Sequence, residues 1–298
     1  MNQALLDDKI LYPIADFCSL KNKIVTSSYD SKLRVYSNNS LEKAIDTSCP
    51  FTKISIFDDK IVGISYNMGS LTIFDSELNV ISEMNGFDKP CMLFSFGKYV
   101  LIGSNNKTVT ILVENPDFEI SSSCYFTIYN EIQKQQSPTF ICAFGDLLAI
   151  SFENTVSIFN ECLEEIYTKD YTVCISSLNF YSPHVLLIGF LNGKIQVENI
   201  KNSEESFLFN SHFSSTDEKK VMFPVTHLQN SNEFVFSSGY EGKILKWDLE
   251  HKKMLTCILD CKKFIRKFIM IDTHIYILVE DDDLKNALYF QGVLDYTI

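Results

Sequence analysis

Short apolar runs, most of them closed by a small residue, recur along the whole chain: "KIVTSS", "KIVGIS", "YVLIGS", "LLAIS", "VLLIGF", "EFVFSSG" and "IYILVE". Each is followed by a polar turn and a second stretch in which apolar and polar residues alternate. Three examples are "SSYDSKLRVY" from Ser27, "ISYNMGSLTIF" from Ile64 and "SSGYEGKILKW" from Ser237. A continuous apolar run predicts a strand covered on both faces, and alternation predicts a strand with one face toward a core. The turns between them, "YDSK", "NNK", "ENT", "LNGK" and "YEGK", are rich in Asn, Asp and Gly, which tolerate the positive φ of tight hairpins. Helical periodicity is not sustained beyond about two turns anywhere, which excludes a parallel α/β fold with a helix between strands.

The second strands align on one aliphatic position: Leu33, Leu71, Val109, Val156, Ile195, Ile244 and Leu288, at steps of 38, 38, 47, 39, 49 and 44 residues. A repeat of about 43 residues has the length of a four-stranded propeller blade. The expected fold is therefore all-β: a single seven-bladed WD-repeat β-propeller over residues 1–298, with degenerate repeats. Its last blade is expected to be closed by strands from both ends, "ALYFQGVL" pairing there with a strand near Leu5 to Leu11, because closure removes exposed edges. Trp247-Asp248 is the one copy of the dipeptide that marks WD repeats; the equivalent places read Val35-Tyr36, Phe74-Asp75, Phe159-Asn160 and Glu198. No Gly-His dipeptide occurs, so the His–Asp network common in such blades is expected to be largely missing. The 24 Phe and 14 Tyr then serve as core.

Composition narrows the function classes. With 46% hydrophobic residues in 298, the chain can bury an ordered core. A net charge of -12 argues against a non-specific nucleic-acid binder, which needs a basic face. Nine Cys spread singly, with no CxxC pair, predict reduced and mostly buried thiols of the cytosol or nucleus. Cys257 and Cys261 have no neighbouring His, and core packing is a better reading than zinc. The start "MNQALLDDKILYP" lacks the basic-then-apolar order of a signal peptide, and no apolar stretch approaches the length of a membrane span.

Catalytic constellations are absent. The five His (His184, His212, His227, His251 and His274) are scattered without metal-ligand spacing, and no P-loop, GxGxxG or GxSxG occurs. "EDDDLKN", Glu280 to Asn286, lacks the ligand order and glycine of a calcium loop and reads as a solvated acidic turn. A propeller hydrolase would have to gather its residues around a central channel. Without such residues a propeller is a rigid platform whose loops bind peptides, and no cofactor is expected.

Several stretches, in order, carry a resemblance: "TSSYDSKLRVYS", "IGFLNGKIQVENI", "FLFNSHF", "FPVTHL" and "FVFSSGYEGKILKWDLEHKKML". Together they resemble the spindle-assembly-checkpoint WD-repeat propeller that binds the BUB (budding uninhibited by benzimidazole) kinases, over essentially the whole chain. The paralogous messenger-RNA export propeller, which binds a nucleoporin GLEBS segment, is the alternative; Val197-Glu198 favours the checkpoint branch. The resemblance implies a non-enzymatic adaptor of nucleus and kinetochore, found also in the cytoplasm. It would be monomeric within hetero-complexes and would contact neither membrane nor nucleic acid. Its implied partners are a GLEBS-type motif of a checkpoint kinase or its relative, and a phosphorylated Met-Glu-Leu-Thr-like motif of an outer-kinetochore scaffold.

Carried over residue by residue, the resemblance places Tyr29 where the family has a peptide-contacting Trp, and Asn105 where it has a second. His212 is kept as a contact, while Asn210, Phe213 and Val173 stand in place of basic residues. That loss implies weaker phosphothreonine reading than GLEBS binding. From the repeat itself, Lys32, Lys107, Lys194 and Lys243 each sit at the turn into the second strand. They are either a ring of peptide-binding cations on one rim or ordinary solvated turn residues.

Overall fold

The computed structural model describes residues 3–5, 12–37, 40–115, 118, 125–215, 219–231, 233–271, 274–280 and 286–291, with backbone alone at 3–5 and 286–291. Strand β1 (Gln3–Leu5) pairs with a strand at the far end of the chain. The first sheet is β2 (Ile14–Leu20), β3 (Lys23–Ser28), β4 (Lys32–Ser37) and β5 (Ser40–Asp46). The second is β6 (Lys53–Phe57), β7 (Lys60–Ser65), β8 (Ser70–Phe74) and β9 (Val80–Asn85). The third is β10 (Pro90–Phe96), β11 (Tyr99–Ser104), β12 (Thr108–Glu114) and β13 (Phe126–Gln133). The fourth is β14 (Pro138–Phe144), β15 (Leu147–Phe152), β16 (Thr155–Phe159) and β17 (Glu165–Asp170). The fifth is β18 (Ile175–Ser182), β19 (Val185–Phe190), β20 (Lys194–Asn199) and β21 (Phe207–Asn210). A hairpin of β22 (Phe213–Ser215) and β23 (Lys220–Met222) precedes the sixth sheet: β24 (Val225–Ser231), β25 (Phe234–Gly239), β26 (Lys243–Asp248) and β27 (Lys253–Asp260). The last sheet joins β28 (Phe264–Ile271), β29 (His274–Glu280) and β30 (Asn286–Gln291) to β1, in the order β1-β30-β29-β28.

The described strands thus make seven four-stranded sheets and one hairpin. They fall into two compact units, residues 1–138 with 271–278 and 282–298, and residues 139–270 with 279–281. The first unit holds the first three sheets, and the second holds the fourth to sixth.

The apolar runs of the sequence are the second strands, and burial explains their composition. Strands β3, β15, β19 and β25 are buried at every residue after the first. In the third strands the aligned aliphatics Leu33, Leu71, Val109, Val156, Ile195 and Ile244 are all fully buried. Opposite them in the ladders stand Ser27, Ile64, Gly103, Ser151, Gly189 and Ser238, five of six being small. Each such aliphatic contributes about 1.5–3 kcal/mol by leaving water. Within each unit, successive sheets share these side chains in continuous clusters. Leu33 packs with Phe51 and Phe74, and Ile195 packs with Val225 and Trp247. The fourth strands are mostly exposed, as β5 and β17 show, which is why the sequence is least repetitive there.

Three expectations change. Strand β1 pairs through Gln3–Gln291, Ala4–Phe290 and Leu5–Tyr289, so it meets the expected Leu5 to Leu11 strand only at Leu5. Residues 6–11 and 292–294, and most of the acidic stretch 280–286, lie outside the described residues. The thiols are not mostly buried: of the eight described, Cys18, Cys49 and Cys142 are buried, while Cys162, Cys174 and Cys257 are exposed. Positive φ is not confined to Gly and Asx in the turns, since Ser31, Lys107 and Glu153 adopt it as well.

Candidate functional site

One turn geometry recurs at the junction of second and third strands. The residue just before the third strand has positive φ at Ser31, Gly69, Lys107, Gly193 and Gly242. That conformation turns its carbonyl toward the segment leaving the fourth strand. The carbonyl accepts an amide from Thr47 (2.8 Å), Gly86 (3.1 Å), Lys134 (3.2 Å), Ser211 (2.9 Å) and Cys261 (3.0 Å), respectively. The first residue of the turn donates its own amide to the residue ahead of the first strand: Tyr29 to Pro13, Asn105 to Lys89, Leu191 to Cys174 and Tyr240 to Pro224. These bonds satisfy backbone groups and hold each turn rigid. They also make Tyr29, Asn105, Leu191 and Tyr240 equivalent positions.

Tyr29 is about half exposed, and an ion pair beneath it fixes the turn. Arg34 of β4 donates to both oxygens of Asp30, Nη1 to Oδ1 at 3.2 Å and Nη2 to Oδ2 at 2.5 Å, and Nη1 also reaches Ser28 Oγ. Both side chains of the pair are only about a tenth exposed, at 10% and 11%. Burial opposes ionisation of Asp30, but the hydrogen bonds from Arg34 and Ser28 and the guanidinium charge outweigh it and lower its pKa. The hairpin tip is therefore rigid, and it presents a phenol ring to solvent.

Asn105 does not stand alone. Its side-chain amide donates to the Tyr66 hydroxyl at 3.3 Å, so a neighbouring turn supplies an aromatic ring beside it. Lys32 opens β4 and faces Asp46, with Nζ–Oδ1 at 3.5 Å. Lys243 opens β26 opposite Asp260, and Lys194 opens β20 opposite Asn210. Lys107 departs from this set. Its φ of 71° puts it at the position of Gly193 and Gly242, and Thr108 opens β12 in its place. The expected equivalence of four lysines thus holds for three, because a turn is counted from its left-handed residue rather than from its charge. Tyr240 (53% exposed) and Leu191 (50%) had escaped notice, although the tyrosine was legible: "SSY", "ISY" and "SSGY" share it. Tyr240 stacks on Phe264 with ring centroids 4.4 Å apart. Phe213 is exposed and carries Lys220 Nζ 4.1 Å over its ring, while Val173 lines a cavity beside Lys194.

His212 corrects a second expectation. Its ring is fully buried. Nδ1 lies 2.6 Å from Glu241 Oε1 and Nε2 lies 2.8 Å from Ser237 Oγ, which also accepts the indole N–H of Trp247 at 2.8 Å. A ring carrying its proton on Nδ1 donates to the carboxylate and accepts from the serine, so one row links the β25–β26 turn, β25 and β26. His212 is structural rather than a peptide contact. The His–carboxylate network, expected to be largely missing, is found at this one place among the described residues, with Ser211 in place of the glycine ahead of the histidine and Glu241 as the acid.

Gly239 makes room for this row: a Cβ there would stand 2.3 Å from His212 Nδ1 and 2.1 Å from Glu241 Oε2. Gly239→Ala is expected to cost about 2 kcal/mol through overpacking, read as a lower denaturant midpoint with an unchanged slope.

No family model matches the chain, and no curated protein matches it. Solved structures do. The structure of U3-55K aligns over 98% of each chain with a TM-score of 0.79 at 10% identity. The RRP9 WD40 repeats align over 98% of this chain and 97% of theirs, at 0.78 and 10%. The computationally designed Ika8 protein aligns over 95% and 84%, at 0.68 and 15%. The fold is that of a WD40 β-propeller.

In a WD40 blade the Trp-Asp pair ends the third strand. By register with Ile244, the place of Trp247-Asp248 is taken by Tyr36-Ser37, Phe74-Asp75, Phe159-Asn160 and Glu198-Asn199, so the pair expected at Val35-Tyr36 shifts by one residue. The second member caps the next turn. Asp75 accepts from the Glu77 and Asn79 amides, Asn160 from Cys162 and Glu164, Asn199 from Lys201 and Asn202, and Asp248 from His251. Glu198 is a carboxylate where the first, second, fourth and sixth sheets hold an aromatic ring, and it is 1% exposed. It pairs with Lys169 at 2.7 Å and accepts from the hydroxyls of Tyr167 (3.0 Å) and Tyr171 (3.4 Å). Burial and the Glu198 charge push both phenols far up, so they remain donors. Among the described residues no cluster of three His, Cys, Asp or Glu could hold a metal ion, and no helix is long and apolar enough to cross a membrane.

Proposed function

We propose that this chain is a non-enzymatic peptide-binding adaptor with seven blades, one for each four-stranded sheet, the last completed by strands from both ends. Its ligand is an acidic GLEBS-type segment of a spindle-checkpoint kinase or its relative, carried to the kinetochore in the nucleus. The observation that supports this reading is the rigid exposed aromatic beside a lysine, Tyr29 with Lys32 and again Tyr240 with Lys243. Aromatic anchors supply contact area at low entropy cost, and flanking cations attract acidic residues. The Lys32–Asp46 pair is solvent-exposed and contributes about 0–1 kcal/mol, so an incoming carboxylate displaces it at little cost.

The scaffold phosphopeptide is a weaker ligand in this reading. Asn210 is neutral and Phe213 offers a ring with one lysine over it, whereas a phosphate gains most from several convergent donors. Phosphorylating a Met-Glu-Leu-Thr-like peptide is expected to raise its affinity less than about tenfold. A GLEBS-type peptide should bind, and Lys32→Glu should weaken it more than about tenfold, less so in high salt. Calorimetric titration at two salt concentrations checks both, with Tyr29→Ala as a third arm. Binding indifferent to the reversal and to salt would return Lys32 to a solvated turn residue. Affinity purification from mitotic cells should recover the kinase; recovery of a nucleoporin instead would replace the checkpoint role.

A further inference from the structure

We propose that the cavity beside Lys194 binds the C-terminal carboxylate of a peptide ending in an apolar residue. The cavity measures about 300 Å³, at the small end for ligand sites and suited to one terminal residue rather than a folded element. Its apolar wall is formed by Tyr171, Val173, Phe190 and Leu208, and its polar groups include Asn192 and Lys194. The wall is firm, because Tyr171 packs on Phe190 with centroids 5.4 Å apart and its hydroxyl is held by the buried Glu198.

Two features set the chemistry of the ligand. The first is charge. Lys32 and Lys243 each face an aspartate across the ladder, Asp46 and Asp260, but Lys194 faces the neutral Asn210. Glu198, the nearby carboxylate, is already paired with Lys169. Among the described residues Lys194 is thus a cation without an ion-pair partner in the lining of an apolar cavity, which favours an anion whose other end is apolar. The second is an unused acceptor. Asn192 lines the cavity, and its side-chain oxygen is covered from solvent with no hydrogen-bond partner among the described residues; a covered acceptor in that state is unfavourable, and turning the side chain toward the cavity would offer it to a ligand donor. A peptide C-terminus offers all three complements on one residue: a carboxylate, an amide N–H two bonds away and a side chain. An internal glutamate places its carboxylate far from its own N–H and brings no apolar end.

This inference rests on the adaptor reading only in taking the ligand to be a peptide. The test is calorimetric titration with four probes: a pentapeptide ending in Phe as free acid, the same peptide amidated, N-acetyl-phenylalanine, and an amidated peptide with an internal Glu. The free acid is expected to bind at least about tenfold more tightly than its amide. Lys194→Met and Asn192→Ala should each remove about tenfold, with unchanged melting, while Lys201→Met, at an exposed lysine outside the cavity lining, should change nothing. Equal binding of acid and amide, or indifference to Lys194→Met, would overturn the proposal, as would preference for the internal Glu. N-acetyl-phenylalanine binding as tightly as the pentapeptide would overturn the peptide assignment in favour of a small acylated amino acid. A GLEBS-type peptide that binds equally well to wild type and Lys194→Met, with no binding of the free acid, would sink this site and leave the adaptor standing.

Discussion

Replacing His212 by alanine is expected to destabilise the protein by about 3–5 kcal/mol while leaving the peptide affinity of the folded molecule unchanged. The ring is fully buried, so its removal leaves a cavity as well as unmade hydrogen bonds. Glu241, with its side chain 9% exposed, would lose the partner that faces its charge, and an orphaned buried charge is the costliest outcome of such a truncation. Ser237 Oγ would keep the Trp247 indole as its donor and lose the histidine at 2.8 Å as an acceptor, leaving the longer contact to Ser211 Oγ at 3.3 Å. Urea unfolding of wild type and His212→Ala gives the first quantity, and peptide titration below the transition gives the second. A variant of wild-type stability that binds peptide more than about tenfold more weakly would return His212 to the ligand surface.

Asp30→Ala should cost about 3 kcal/mol and weaken peptide binding as well, because one ion pair both supports the first sheet and fixes Tyr29. Arg34 would remain nearly buried without Asp30, its ion-pair partner at 2.5 Å, while keeping its hydrogen bond to Ser28. The wild-type contribution depends on pH with a definite sign. The pKa of Asp30 is lower in the folded chain than its ordinary 3.8, so its contribution is complete above 3.8 and is lost as pH falls through the folded value. Wild type and Asp30→Ala should therefore differ most near neutrality and converge as the medium is acidified below 3.8. Denaturant midpoints at pH 7 and along a series from pH 4 to 2 check this; a constant difference would show that Asp30 stabilises the turn by packing alone.

The blade core was legible along the chain because it obeys a local rule. The continuous apolar runs, the small residue opposite five of the six aliphatics and the recurrence of Leu33, Leu71, Val109, Val156, Ile195 and Ile244 all follow from strands buried on both faces. Even the tyrosines that open three of the turns, exposed at Tyr29 and Tyr240 and half-buried at Tyr66, were visible in the repeating "SSY", "ISY" and "SSGY", once the turns were aligned by backbone conformation.

Pairings across tens of residues were not legible. His212 meets Glu241 and Ser237, 29 and 25 positions away, and nothing in "FLFNSHF" distinguishes a buried ring from an exposed one. Glu198 meets Lys169 29 positions earlier, so a carboxylate in the place of Trp247 looked like decay of the repeat rather than a satisfied charge. Lys107 and Lys194 look alike in the turns "NNK" and "LNGK", yet one has left-handed φ and the other opens a strand opposite a neutral residue. Patterning is a property of neighbours in the chain, and it dictates strands and their buried faces. Whether a polar group in those strands serves the core or the surface depends on which distant group completes its hydrogen bonds, and only the folded backbone brings that group within 3 Å.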